Sequence, residues 1–172
     1  CCYCYCETAE KCLQIDHPKL DLYEVSGDIL SSYYQWDKED SPSCQDSSTI
    51  INNLSLRSGG GVSSWYGSNT TIKNSQILYN TAQTQPNQNQ GTGGGIKASF
   101  NGSLNIINTL VAGNYARQTG SAIYLEGDVN AIVTNSTFYD NDYYQSGIFI
   151  NPESTLSVVN SIYYDNWYTI VN

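Results

Sequence analysis

Residues 93–114 read GGGIKASFNGSLNIINTLVAGN, and this stretch holds every part of a pattern that recurs along the chain. A run of small residues ends at Ile96, an asparagine follows twelve positions later at Asn108, and a second asparagine follows six positions after that, at Asn114. The same spacing gives four copies, whose paired asparagines are Asn74 and Asn80, Asn108 and Asn114, Asn135 and Asn141, and Asn160 and Asn166. Such a fixed internal register indicates one structural unit stacked repeatedly.

Apolar residues, mostly β-branched, recur at fixed positions around the first asparagine of each copy. They are Ile72, Ile106, Val133 and Val158 before it, and Ile77, Val111, Phe138 and Tyr163 after it. The copies lie 34, 27 and 25 residues apart and contain no helical stripe. The sequence therefore predicts an all-β fold, a right-handed parallel β-helix (a solenoid) of about five rungs.

The first asparagine of each copy, with Asn53 from a fainter fifth copy, is predicted to form an internal ladder of Asn53, Asn74, Asn108, Asn135 and Asn160. Stacked amides can bond to each other and to turn backbone, which satisfies polar groups inside the coil. Asparagine also tolerates the left-handed conformation that a sharp corner needs. The predicted role of this column is structural.

Six cysteines lie within the first 44 residues: Cys1, Cys2, Cys4, Cys6, Cys12 and Cys44. An even number at one end favours disulfides and an oxidising, extracellular compartment over a zinc cluster, because the spacing is irregular and His17 is the only histidine. We expect residues 1–47 to form a cysteine-rich N-terminal region and cap, and residues 48–172 to form the β-helix repeats. Residues 168–172 are strand-like, so we expect self-association or a neighbouring domain of the same protein there.

The composition excludes several classes of partner. The formal net charge is −9 with only 7 Lys and Arg, which argues against nucleic acid binding. No apolar run approaches the length of a transmembrane segment.

The small-residue runs resemble a known repeat. Gly94-Gly95-Ile96 resembles the Gly-Gly-Ala-(Ile/Leu/Val) motif of polymorphic outer membrane proteins, and Phe138-Tyr139-Asp140-Asn141 resembles their Phe-x-x-Asn motif. The resemblance covers about residues 48–172 and implies a pectin-lyase-like β-helix on a cell surface, usually in adhesion. The chain departs from it in having Gly for the Ala and in lacking an outer-membrane barrel.

Many pectin-lyase-like proteins are polysaccharide lyases or hydrolases, but the motifs of polygalacturonase-like enzymes are absent here. Residues 48–172 contain no histidine and only four basic residues. Asp140 and Asp165 hold equivalent places and are the sole candidate for Ca²⁺ ligands, with solvated turn acids as the plainer interpretation. We therefore predict a protein that is not an enzyme and needs no cofactor.

Tyrosine is abundant, with 15 copies, and Tyr139 and Tyr164 fall on neighbouring rungs near the outer surface. They predict either a platform for sugars or ordinary cross-rung packing. Of four glycosylation sequons, Asn69 and Asn101 are predicted to be accessible, whereas Asn53 and Asn135 are assigned to the internal ladder.

The leading hypothesis is a non-enzymatic extracellular structural protein, a subunit or segment of a surface fibre, sheath or adhesin that assembles by strand pairing and disulfides. The alternative is a carbohydrate-binding or adhesive module that uses surface tyrosines. A polysaccharide lyase or hydrolase is the third hypothesis.

Overall fold

The computed structural model describes residues 42–84, 91–141 and 146–166. Seventeen strands, numbered in chain order, occur in these ranges and form four sheets. The first sheet contains the longest strands: β1 (Pro42–Asp46), β5 (Asn69–Lys73), β9 (Ser103–Ile107), β13 (Asn130–Thr134) and β16 (Thr155–Val159). The second sheet contains β2 (Thr49–Ile51), β6 (Gln76–Leu78), β10 (Leu110–Ala112), β14 (Thr137–Tyr139) and β17 (Ile162–Tyr164).

Two shorter sheets complete the coil. The third sheet contains β3 (Leu54–Ser55), β7 (Thr81–Ala82) and β11 (Tyr115–Ala116). The fourth sheet contains β4 (Val62–Trp65), β8 (Ile96–Ser99), β12 (Ile123–Glu126) and β15 (Ile148–Ile150). The chain visits the four sheets in turn, and each strand pairs in parallel with its equivalent one coil later, as β5 does with β9. The predicted parallel β-helix is confirmed.

The core lies along the axis and consists of files of equivalent apolar residues. In the first sheet Ile72, Ile106 and Val133 stack in register, and each is 0% exposed. Parallel files from the second and fourth sheets meet them: Ile77, Val111 and Phe138, and Ile96, Ile123 and Ile148. The same residue types repeat at each level because strands about 4.8 Å apart bring equivalent side chains into contact.

The first predicted column of asparagines is stacked, but it does not point into the core. Asn74, Asn108, Asn135 and Asn160 are all exposed, with φ between 47° and 51°. Asn108 Nδ2 donates to Asn74 Oδ1 at 2.8 Å, and Asn160 Nδ2 donates to Asn135 Oδ1 at 2.6 Å. The prediction of an inward ladder at these positions is wrong, because the left-handed residue at the corner turns its side chain outward.

The internal ladder is formed by the second asparagine of each copy, and Asn53 belongs to it. Asn80, Asn114 and Asn141 are 0–1% exposed. Asn114 Oδ1 accepts both the backbone N–H and the Nδ2 of Asn80, at 2.9 and 3.0 Å. Asn114 Nδ2 donates to Ile77 O and to Asn141 Oδ1, both at 2.9 Å. The amides therefore tie each coil to the next and leave no ladder donor or acceptor without a partner at this level.

Glycine precedes the fourth sheet because the backbone of the neighbouring coil comes very close. A Cβ on Gly94 would lie 2.4 Å from Tyr115 O and 2.6 Å from Ser121 O. No side chain fits at that distance, so the small-residue runs permit the contact between coils.

The N-terminal region that the sequence assigns to the cap is largely outside the described residues, as are Cys1, Cys2, Cys4, Cys6 and Cys12. Cys44 lies on β1, whose backbone pairs with β5 with Cys44 opposite Thr71. The first described strand of the β-helix thus falls within the segment 1–47. Residues 168–172, predicted to be strand-like, also lie outside the described part.

Replacing a buried asparagine should reduce the free energy of unfolding more than replacing an exposed one. The Asn114→Ala change removes the acceptor of the Asn80 backbone N–H and Nδ2, and it removes the Nδ2 that donates to Ile77 O and Asn141 Oδ1. Because these bonds are buried, we expect a loss of about 3 kcal/mol in the free energy of unfolding. The control Asn108→Gly keeps the left-handed corner and removes one exposed hydrogen bond, and it should cost less than about 1 kcal/mol. Urea denaturation followed by circular dichroism measures both, and equal losses would contradict the assignment.

Tyr163 should destabilise the fold at alkaline pH. Its ring is the last described member of the file that contains Phe138, its Oη is buried without a hydrogen-bond partner, and burial raises its pKa to about 12. Because this pKa exceeds the usual value of 10.0, ionisation favours the unfolded chain. The stabilisation that depends on the protonated phenol is fully present below pH 10 and is lost as the pH rises towards 12.

The test is Tyr163→Phe, which removes the unsatisfied hydroxyl and keeps the ring. We expect the variant to gain about 1 kcal/mol in unfolding free energy at pH 7. It should also lack part of the stability loss between pH 10 and 12 that the parent shows. Parallel pH profiles for the two proteins would argue against a buried phenol at this position.

Candidate functional site

The outer surface of the fourth sheet carries the most varied chemistry in the described part of the chain. Strand pairing places Ser63, Lys97, Tyr124 and Phe149 in one outward file, and Trp65, Ser99 and Glu126 in the adjacent outward file. Tyr66 and Phe100 follow at the corner that leads to the first sheet. We call the set of Trp65, Tyr66, Lys97, Ser99, Phe100, Tyr124 and Glu126 the aromatic face.

Lys97 is the centre of the aromatic face. Its Nζ lies 5.6 Å from the Trp65 ring centroid on the coil before and 5.0 Å from the Tyr124 ring centroid on the coil after. The same atom is 3.1 Å from Glu126 Oε2 and 3.5 Å from Thr92 Oγ1. Only 7% of Lys97 is exposed, so this ammonium group is held by two aromatic rings and one carboxylate.

Three aromatic rings pack against each other beside Lys97. Tyr66 and Phe100 are stacked with centroids 5.0 Å apart, and Trp65 lies 5.8 Å from Tyr66 and 5.6 Å from Phe100. Tyr66 has φ 40° and Phe100 has φ 62°, a conformation that bulky residues rarely adopt. Gly127 takes the equivalent corner on the next coil, with φ 69°, and the Phe100 ring fills the space where its Cβ would be.

Several polar groups lie among the rings of the aromatic face. Trp65 Nε1 donates to Ser63 Oγ at 3.0 Å. Ser99 lies between Trp65 and Glu126 in their file, is 2% exposed, and its Oγ has no hydrogen-bond partner. Burial, and then the charge of Glu126, raise the pKa of Tyr124 above its ordinary value.

A second aromatic pair lies on the outer face of the second sheet, where the sequence predicts it. Tyr139 and Tyr164 are 42% and 66% exposed, and their rings are stacked with centroids 5.9 Å apart and an angle of 6° between planes. The corner residues that follow, Asp140 and Asp165, are exposed and occupy equivalent positions with φ 50° and 52°. Among the described residues, no group of three or more His, Cys, Asp or Glu side chains could hold a metal ion.

The four sequons differ in accessibility. Asn69 and Asn101 are exposed, as the sequence predicts. Asn135 is exposed as well, so its assignment to the interior is wrong. Its left-handed backbone conformation at the corner turns the side chain outward. Asn53 is half-buried, and its Nδ2 donates to Asn80 Oδ1 at 2.9 Å, which occupies the atom that a glycan would modify. Glycosylation at Asn69 and Asn101 stays a prediction.

A family model described as a right handed beta helix region matches residues 38–172. The chain belongs to the right-handed β-helix family. This membership confirms the hand of the predicted coil, while the narrower resemblance to polymorphic outer membrane proteins stays a prediction. The chain matches no curated protein and no solved structure at a significant level.

The spacing of the repeats in the sequence contains enough information to locate the aromatic face. Lys97, Tyr124 and Phe149 each follow the residue that closes a small-residue run, namely Ile96, Ile123 and Ile148. Carrying the columns one residue further would have placed Lys97 beside Tyr124, and three further would have placed Trp65, Ser99 and Glu126 in one file. Sequence reasoning treated Lys97 only as one of four basic residues and so missed this site.

No helical segment in the described ranges has the length and apolarity that a bilayer crossing requires.

Proposed function

We propose that this β-helix is a non-enzymatic extracellular structural protein, a subunit or segment of a surface fibre, sheath or adhesin. The coils stack through the same parallel register at every described level, which is the geometry of a rigid rod. The cysteine-rich start of the chain supports an oxidising compartment.

One observation carries the assembly part of this proposal. Ile72, Ile106 and Val133 are 0% exposed, but Val158, the next member of their inward file, is 46% exposed. Within the described strands, β15, β16 and β17 are paired on one side only. The edge strand β16 exposes both unpaired backbone groups and an inward-facing apolar residue. Another coil could pair with it in the same way that β13 pairs with β16.

The covering coil is either a second copy of this chain or a further part of the same protein. Both use the same chemistry, namely main-chain hydrogen bonds along the edge and apolar contacts along the axis. Disulfides between neighbouring chains would then lock the stack.

The experiment compares two adjacent lysine substitutions in the 172-residue chain. Val158→Lys puts a charge on the axis of the last described coil, where burial by another coil is costly, so we expect the association constant to fall at least about tenfold. The control Ser157→Lys puts the same charge on the outer face of β16 and should leave association unchanged. Light scattering and electron microscopy, with and without reductant, measure the effect. A parent chain that stays monomeric at all concentrations, or equal assembly of both variants, would refute the proposal.

A second candidate function is a carbohydrate-binding module on the second sheet, favoured by the exposed, nearly parallel rings of Tyr139 and Tyr164. Aromatic rings bind the apolar faces of sugars, and the tyrosine hydroxyls can bond to sugar hydroxyl groups.

For this candidate, Tyr139→Ala and Tyr164→Ala should each weaken binding to a glycan array roughly tenfold. Ile162→Ala is the matched control, because Ile162 is 62% exposed on the same sheet and has no ring. Binding that survives both tyrosine changes would remove these residues from the site.

A further inference from the structure

We infer that the aromatic face on the fourth sheet is a binding site for a neutral saccharide. It differs from the Tyr139 and Tyr164 pair in sheet, in residues and in charge, and it does not depend on assembly. A site of this kind needs apolar rings for the C–H faces of the sugar and a few fixed polar atoms for its hydroxyl groups.

The rings meet the first requirement. Trp65, Tyr66 and Phe100 form one packed group with centroid distances of 5.0 to 5.8 Å, and Tyr66 is 67% exposed. Their positions are set by the register of β4 and β8, so a ligand would meet a surface that is already ordered. Preorganised side chains lose little conformational freedom on binding, which favours affinity.

The carboxylate oxygens of Glu126 meet the second requirement. Lys97 Nζ forms an ion pair with Glu126 Oε2 at 3.1 Å, and the Glu126 side chain is 32% exposed. The carboxylate is therefore oriented by an ion pair and still accessible as an acceptor for sugar hydroxyl groups.

The charge distribution selects a neutral ligand over an acidic one. The positive charge of Lys97 is 7% exposed and already paired, so it is not available to an anion. The exposed charge of the aromatic face is the carboxylate of Glu126, on a chain of formal net charge −9. An acidic polysaccharide would be repelled, whereas a neutral one would be bound through its hydroxyl groups.

The backbone supplies an independent argument. Tyr66 and Phe100 occupy left-handed corners at φ 40° and 62°, where glycine or asparagine would be unstrained. Each such residue costs about 1–2 kcal/mol. The adjacent coil shows the relaxed alternative, since Gly127 fills the same corner at φ 69°. Residues held in such conformations cluster at functional sites in proteins, and here two of them supply rings to one exposed face.

The strain yields a variant that separates binding from folding. Tyr66→Asn removes the ring contacts with Phe100 and Trp65 and places in the left-handed corner a residue that tolerates it. Relief of strain offsets the lost contacts, so the melting temperature should change little. If the ring contacts a sugar, the same variant should bind at least about tenfold more weakly. A merely structural role for Tyr66 predicts unchanged binding.

The experiment is calorimetry of the full chain with neutral oligosaccharides of glucose, mannose, xylose, galactose and N-acetylglucosamine, and with oligogalacturonate as the acidic probe. We expect binding to at least one neutral series and none to oligogalacturonate. Tyr66→Asn and Glu126→Gln should each weaken binding at least about tenfold, while Tyr139→Ala and Tyr164→Ala should not change it. Circular dichroism checks that each variant is folded.

Three outcomes would overturn the inference. They are the absence of binding to every neutral series, binding to oligogalacturonate alone, and neutral binding that is lost with Tyr139→Ala or Tyr164→Ala but retained in Tyr66→Asn. None of them bears on assembly, which the substitution at Val158 tests separately.

Discussion

The buried asparagine ladder is the constraint on which the rest of the structure depends. Asn80, Asn114 and Asn141 each receive and give hydrogen bonds across coils, including bonds to the backbone of the coil before. A shift by one residue would leave these amides buried and unpaired, which costs more than the bonds contribute when made. The ladder therefore fixes which residue stacks on which, and every file inside and outside the coil follows from it.

The period of the pattern was sufficient to predict the fold, but not which asparagine points inward. Ile72 faces the core, and strict alternation would put Asn74 on the same side. The strand ends at Lys73, however, and the left-handed residue at position 74 reverses the alternation. The same reversal at Tyr79, with φ 52°, turns Asn80 inward although it stands three positions after Ile77. Corner conformation decides orientation here, and hydrophobic periodicity does not contain it.

For the candidate sites too, some features could be predicted from the sequence and others could not. Tyr139 and Tyr164 were predictable as neighbours because their column is regular, and the structure places their rings in a parallel stack. The pairing of Lys97 with Glu126 crosses between two adjacent files, so a single column does not reveal it. The left-handed conformations of Tyr66 and Phe100 could not be predicted at all, because residue preferences alone assign such corners to glycine or asparagine.

The architecture separates assembly from saccharide binding at the aromatic face. Inward files determine how the coils stack, and the outward residues that alternate with them can change without altering the core. Assembly uses the edges of β15, β16 and β17, along the axis, whereas Trp65, Tyr66 and Glu126 face sideways from the fourth sheet. A coil added at the edge would extend the rod and leave the aromatic face uncovered. A fibre built in this way would repeat the face at a fixed interval along its length, so that weak single sites would act together on a polymeric saccharide.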